Sequence, residues 1–237
     1  MGAKNNKNRF AFVIPVYNHA GTVAQIVADA QALGFPVFVV DDGSTDNTYD
    51  QIKEITGIKI LRHEQNQGKG AAIMTGFAAA SAVADFAITI DADGQHYPQD
   101  AQKLIKAIPK KTRSIVVGAR DYMPGEHVPW TSSFGRKFSN FWVRTSGGPA
   151  ISDSQSGFRI YPLPEALNLK TKTRRFQFEV EILVKARRNG IPVIEAPVRV
   201  NYNPNGARIS HFRPFVDFMR NSSTFTRLIF RRIFSLK

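Results

Sequence analysis

What most limits the fold of this chain is an alternation: through its whole first half, short β-prone runs give way to helix-spaced runs and then return. Phe10 to Val16, Pro36 to Val40, Ile58 to Leu61, Phe86 to Ile90 and Ser114 to Val117 read as strands. Between them, Thr22 to Leu33 (closed by Gly34), Asp46 to Ile55, the alanine-rich Ala71 to Ala84 and Gln99 to Ile108 carry helical spacing. Alternation of this kind predicts an α/β fold, a mostly parallel sheet with helices on both faces. With 237 residues, 43% of them hydrophobic, the chain can build one sizeable core, and two full domains would be cramped. The pattern breaks from Ala119 to Pro149, where Gly, Pro, Trp and scattered arginines predict an irregular insertion walling a site. It resumes with a strand from Ser156 to Tyr161, a helix from Phe178 to Arg188 capped by Asn189-Gly190, and a strand from Val193 to Val200. The expected division is a disordered basic N-terminus over 1–9, one domain over 10–212, and a helix of that domain over 213–237.

Parallel strands share their C-terminal edge, and ligands bind along it in open α/β sheets. Three runs end there in polar residues: Tyr17-Asn18 after the first, Asp41-Asp42-Gly43-Ser44 after the second, and Asp91-Ala92-Asp93-Gly94-Gln95-His96 after the fourth. Two carboxylates one residue apart on a turn can converge on a hard divalent cation, with Gln95 as a third oxygen donor. The alternative is a turn in which these acids serve only as caps. An EF-hand loop fails, because the glycine falls at position four and position twelve is Gln102. A nucleoside could lie along the same edge, its ring on Tyr17 and its polar atoms on Asp42. Asn66-Gln67-Gly68-Lys69-Gly70 lacks P-loop spacing, and no G-x-G-x-x-G follows the first strand, which argues against nicotinamide and flavin cofactors. No two histidines have metal-ligand spacing, and His96 reads as incidental.

The absence of cysteine excludes disulfides, thiolate metal sites and thiol nucleophiles. Met1 to Arg9 leads straight into a strand-length run, and nowhere do 18 apolar residues stand together, so the expectation is a protein kept on the cytoplasmic side. The formal net charge of +13 implies a polyanionic partner. From Asn205 onward seven Lys or Arg stand against one acid, Asp217. In that segment Phe215, Phe218, Met219, Ser222, Phe225, Ile229 and Ile233 trace one helical face, while Arg213, Arg220, Arg227 and Arg231 follow another. Such a basic amphipathic helix either lies on an anionic membrane surface or packs on the domain with solvated arginines. A nucleic-acid-binding module has no recognition helix or stacking motif to support it, so no nucleic-acid partner is expected.

Six segments together resemble one family. They are Pro15-Val16-Tyr17-Asn18, Val40-Asp41-Asp42-Gly43-Ser44-Thr45-Asp46, Asn66-Gln67-Gly68-Lys69-Gly70, Asp91-Ala92-Asp93-Gly94-Gln95-His96, Gly118-Ala119-Arg120 and Asp153-Ser154-Gln155-Ser156-Gly157-Phe158-Arg159. In that order they resemble the inverting family 2 glycosyltransferases of GT-A fold, in the branch of dolichyl-phosphate mannose synthases and polyprenyl-phosphate glycosyltransferases. The resemblance implies a nucleotide-sugar donor (a GDP- or UDP-sugar), a lipid-phosphate acceptor and Mg²⁺ or Mn²⁺. It implies donor contacts from Pro15, Tyr17, Asn18, Asp42, Gly43, Lys69, Asp91 and Ala92, with the metal on Asp91, Asp93 and Gln95. It also implies an acceptor-phosphate site of Arg120, Arg136, Ser139 and Arg208. Asp93, Arg120 and Asp153 are then the catalytic candidates, Asp153 serving as base if the acceptor is a hydroxyl of another lipid or glycan. Where that branch usually has Glu after Tyr-Asn, this chain has His19.

Overall fold

The computed structural model describes residues 8–121, 130–201 and 214–234; of 130–134, 214–221, 231 and 232 only the backbone is described. Seven strands form one sheet: β1 (Phe10–Val16), β2 (Val37–Asp41), β3 (Ile58–Arg62), β4 (Phe86–Thr89), β5 (Ile115–Asp121), β6 (Arg159–Pro162) and β7 (Val193–Arg199). Their order is β3-β2-β1-β4-β6-β5-β7. All neighbours run parallel except β6, which is antiparallel to both β4 and β5.

The helices are α1 (Val23–Gln31), α2 (Thr48–Ile52), α3 (Lys69–Ala80), α4 (Ala101–Ala107), α5 (Trp130–Thr145), α6 (Glu165–Asn168), α7 (Phe178–Arg188) and α8 (Pro214–Phe234). β1 is buried on both faces, which is why it reads as an unbroken apolar run. Phe10, Phe12, Ile14 and Val16 pack with Val23, Ile26 and Val27 of α1 and Leu104 of α4. Ala11 and Val13 pack on the other face with Ile73 and Phe77 of α3 and Ile182 and Leu183 of α7. Gly76 lets α3 approach closely, since a Cβ there would lie 2.3 Å from Val13 Cγ1.

The sheet with helices on both faces is as the sequence predicts. Two elements are not. The stretch expected to be irregular contains the 16-residue helix α5, and β6 is reversed. The reversal matters for the site: it brings the start of β6, and the loop 152–158 before it, to the edge where β1, β2, β4 and β5 end. Helix α8 packs on the domain through one part of its length. Its Phe225 and Leu228 are buried against Val143 of α5 and Val180 and Val184 of α7, while Phe230, Ile233 and Phe234 are exposed. The segment 1–7 lies outside the described residues; Arg9 pairs with Asp85 at 3.1 Å.

Candidate active site

At the β1 and β2 ends, the side chains mostly hold the edge together. Asn18 adopts a positive φ of 53°, and its Oδ1 accepts from the backbone of Thr45 at 2.8 Å and of Asp46 at 3.3 Å. Asn18 is therefore a bolt between two loops, as well as a residue of the cleft. Asp41 Oδ1 accepts from Ser44 N at 2.9 Å. Asp42, 2% exposed, accepts from Gln67 N, Gly68 N and His63. Gly43, with φ +71, has the Gln65 carbonyl carbon 2.6 Å from where a Cβ would sit, so no side chain fits. Pro15 lies inside β1 opposite Val40, and Tyr17 is half-buried at the strand's end.

The acidic turn sits at the centre of this edge. Lys69, at the start of α3, is bonded to Asp91 at 2.7 Å and to Glu179 of α7 at 2.5 Å. Burial opposes the ionisation of Asp91, but the Lys69 ammonium outweighs it and holds this carboxyl below its ordinary range. Asp93 is pushed the other way, by burial first and by the Asp91 carboxylate second. Lys69 stays protonated: burial works against its charge, and the two carboxylates more than compensate. Gly157 leaves room for Asp91, whose Oδ2 lies 2.3 Å from the position of a Cβ there. Ala92 is buried, its carbonyl accepting from Thr22 Oγ1 at 2.5 Å. His96 is 5% exposed, its ring lies 5.4 Å from that of Phe158, and its buried Nδ1 has no hydrogen-bond partner among the described residues. Burial lowers its pKa, against the pull of Asp91 and Asp93.

Asp91, Asp93 and Gln95 offer hard oxygen donors, and the strained ionisation of Asp93 beside Asp91 is what a divalent cation relieves. The residues fit such an ion. Among the described residues no three acidic or histidine side chains form a set able to hold a metal alone, so Gln95 and oxygens of a bound phosphate would complete the shell.

A second, basic cluster stands along the edge. Arg120, on β5, grips Asp153 through Nε at 2.6 Å and Nη2 at 2.8 Å. Asp153 is 1% exposed. Burial raises its pKa, but Arg120, with a further contribution from Arg136, holds it below the ordinary range. That pairing works against Asp153 as a general base, because a carboxylate so stabilised has little affinity for a proton. Glu195 of β7 accepts from Ser152 N at 2.8 Å and Asp153 N at 3.0 Å, which fixes this loop. Ser139 of α5, expected at the acceptor phosphate, is buried and accepts from Ser154 Oγ at 2.8 Å, tying α5 to the same loop. Arg208 lies outside the described residues.

The structure thus brings Asp91, Asp93, Lys69, Arg120, Arg136 and Asp153 to one edge. Sequence reasoning missed Glu179, His63 and Glu195, each of which holds one of the expected residues. The signal for Glu179 was its place among apolar neighbours in Phe178-Glu179-Val180-Glu181, where a buried acid needs a partner.

Residues 11–164 match the family model described as Glycosyl transferase family 2. The chain belongs to that family. It is 32% identical over 212 residues to UDP-N-acetylglucosamine--dolichyl-phosphate N-acetylglucosaminyltransferase of Methanococcus voltae, covering 80% of this chain and 84% of that protein. It is 29% identical over 218 residues to dolichyl-phosphate beta-glucosyltransferase of Saccharomyces cerevisiae, covering 78% of this chain and 65% of that protein. Among solved structures, glucosyl-3-phosphoglycerate synthase from Mycobacterium tuberculosis, crystallised with Mn²⁺, UDP and phosphoglyceric acid, superposes with a TM-score of 0.70 at 18% identity, over 95% of this chain and 78% of that one. That likeness shows the GT-A fold. This family 2 protein is a glycosyltransferase, and the acidic turn and basic cluster lie on the sheet edge where the fold places its ligands.

Proposed function

We propose that this glycosyltransferase moves a hexosyl group from a nucleotide sugar to a polyprenyl- or dolichyl-phosphate acceptor at an anionic membrane surface. The observation that carries this reading is the pairing of an acidic pole, Asp91 and Asp93, with a basic pole, Arg120 and Arg136, on one edge. The first suits a cation with a diphosphate, the second an acceptor that is itself an anion. Relatives named for dolichyl-phosphate transfer support the same acceptor class.

Asp91, Asp93 and Gln95 would hold Mg²⁺ or Mn²⁺, which supplies Lewis-acid neutralisation of the diphosphate as it leaves. Lys69 brings a permanent positive charge to the same place. Arg120 and Arg136 position the acceptor phosphate, which is already anionic at pH 7 and needs alignment more than deprotonation. Asp153 then serves as the counter-ion that orients Arg120. Transfer to a hydroxyl would need a free base at this point, and Asp153 is held too firmly to act as one.

Membrane contact is assigned to α5 and α8. Trp142 of α5 stacks on Phe225 of α8 at 6.2 Å, and beyond this joint Phe141, Phe230, Ile233 and Phe234 are exposed. No helix among the described residues is long and apolar enough to cross a membrane. The proposed attachment is peripheral, through these exposed side chains, at the cytoplasmic face. The test is to incubate the protein with Mn²⁺, polyprenyl phosphate and a panel of GDP- and UDP-sugars. A sugar phosphodiester labile to mild acid is the expected product; no lipid-linked sugar from any donor refutes the reading.

A further inference from the structure

Asp42 is more fully engaged than a simple nucleoside contact requires. Its Oδ1 accepts from His63 Nδ1 at 2.7 Å and from Gln67 N at 2.9 Å, and its Oδ2 accepts from Gly68 N at 2.7 Å. A carboxylate has about four lone-pair positions, two on each oxygen. Oδ1 is therefore full, and a single position is left on Oδ2. His63 is fixed in turn: the carboxylate cannot donate, so Nδ1 carries the proton, and Nε2 lies 3.0 Å from Thr75 Oγ1. The backbone N–H of His63 donates to the backbone carbonyl of Asp41 at 2.9 Å. Only 3% of the Asp42 side chain is accessible, so little of it is open to a further contact. The loop cannot easily draw back, since a Cβ on Gly68 would meet Arg174 O at 2.6 Å.

A carboxylate reads a nucleobase through the N–H groups on its edge. Guanine presents two side by side, N1–H and N2–H, which match both oxygens of a carboxylate at once. Uracil presents one, N3–H, between two carbonyls. We propose that His63, by filling Oδ1 of Asp42, leaves a one-acceptor reader that selects uracil over guanine in the donor nucleotide. This rests on the reading of Asp42 as a donor contact. His63 touches no substrate; it sets specificity through Asp42, with Thr75 fixing its ring.

The test is calorimetric titration of the full chain, with Mn²⁺ present, using UDP, GDP and 3-methyl-UDP, whose N3 carries no proton. UDP is expected to bind at least about tenfold tighter than GDP, and methylation at N3 to remove most of that preference. His63→Ala opens a second position on Oδ1 and is expected to bring the UDP-to-GDP ratio toward one, while His63→Gln, which keeps an N–H donor, preserves it. Circular dichroism checks that both variants fold; the comparison of three ligands on the unaltered chain needs no variant. GDP binding as tightly as UDP, or undiminished binding of 3-methyl-UDP, overturns selection by Asp42 and leaves the donor site standing. An unchanged ratio in a folded His63→Ala overturns the part given to His63. Binding of neither nucleotide overturns the donor reading and this inference together.

Discussion

Asp93 and Asp153 are both buried aspartates on the same edge, and their surroundings push them in opposite directions. Asp93 has its pKa raised in the folded protein, so its ionisation costs stability above the ordinary carboxylate range, and the cost vanishes as pH falls and the group protonates. Asp93→Asn is accordingly expected to abolish transfer and Mn²⁺-dependent nucleotide binding while melting no lower than the parent at pH 7. A marked loss of melting temperature would remove the case for a site held at the expense of stability. Asp153 has its pKa depressed by Arg120, so it stabilises the fold above its unfolded value, near 3.9, and that contribution is lost as pH falls through the folded value. Asp153→Asn should cost about 3 kcal/mol in urea unfolding at pH 7, because it leaves Arg120 partly buried without its counter-ion. The gap between the two proteins should narrow as pH falls toward and through the folded-state value of Asp153; a constant gap would mean the ion pair is not the cause. Asp93 was legible as a candidate because acids at a strand's end stand out, and Asp153 because it opens the segment Asp-Ser-Gln-Ser-Gly-Phe-Arg. Their opposite roles were not, because they depend on burial and the Asp91 carboxylate in the one case and, in the other, on Arg120, brought close by the fold from 33 positions away.

At the level of elements, β1 to β5 and the helices α1, α3, α4 and α7 could be read from the sequence, the strands as short apolar or β-branched runs and the helices from their spacing. The direction of β6 could not: an apolar run of four residues has the same pattern either way round. Helix α5 carried a signal that was passed over, with Trp130, Phe134, Phe138, Phe141 and Trp142 at helical spacing behind a screen of Gly and Pro. Its aromatic face and that of α8 lead to a prediction at this scale. Phe230 and Phe234 are exposed, their rings stacked at 5.9 Å, so Phe230→Asp with Phe234→Asp should leave the melting temperature within a few degrees. The same pair should weaken cosedimentation with phosphatidylserine vesicles at least about tenfold, through lost apolar burial and added negative charge. Equal sedimentation of the variant would transfer membrane contact to another surface.

For the whole molecule, the net charge of +13 acquires a meaning once the fold is known. Under the proposed function Arg120 and Arg136 serve the acceptor phosphate and the basic excess of the C-terminal sequence adds attraction to an anionic membrane, so both favour a ligand that arrives from a lipid surface. The family and the sheet edge were readable from six ordered motifs. The pairing of Asp153 with Arg120, on which the proposed choice of acceptor rests, was not, because that contact is made only by the fold. The most direct measurement offers the protein, with Mn²⁺ and its active nucleotide sugar, a polyprenyl phosphate in one reaction and the corresponding free polyprenol in another. Sugar transferred to the phosphate and not to the alcohol is the predicted result; transfer to the free alcohol at a comparable rate would contradict the account.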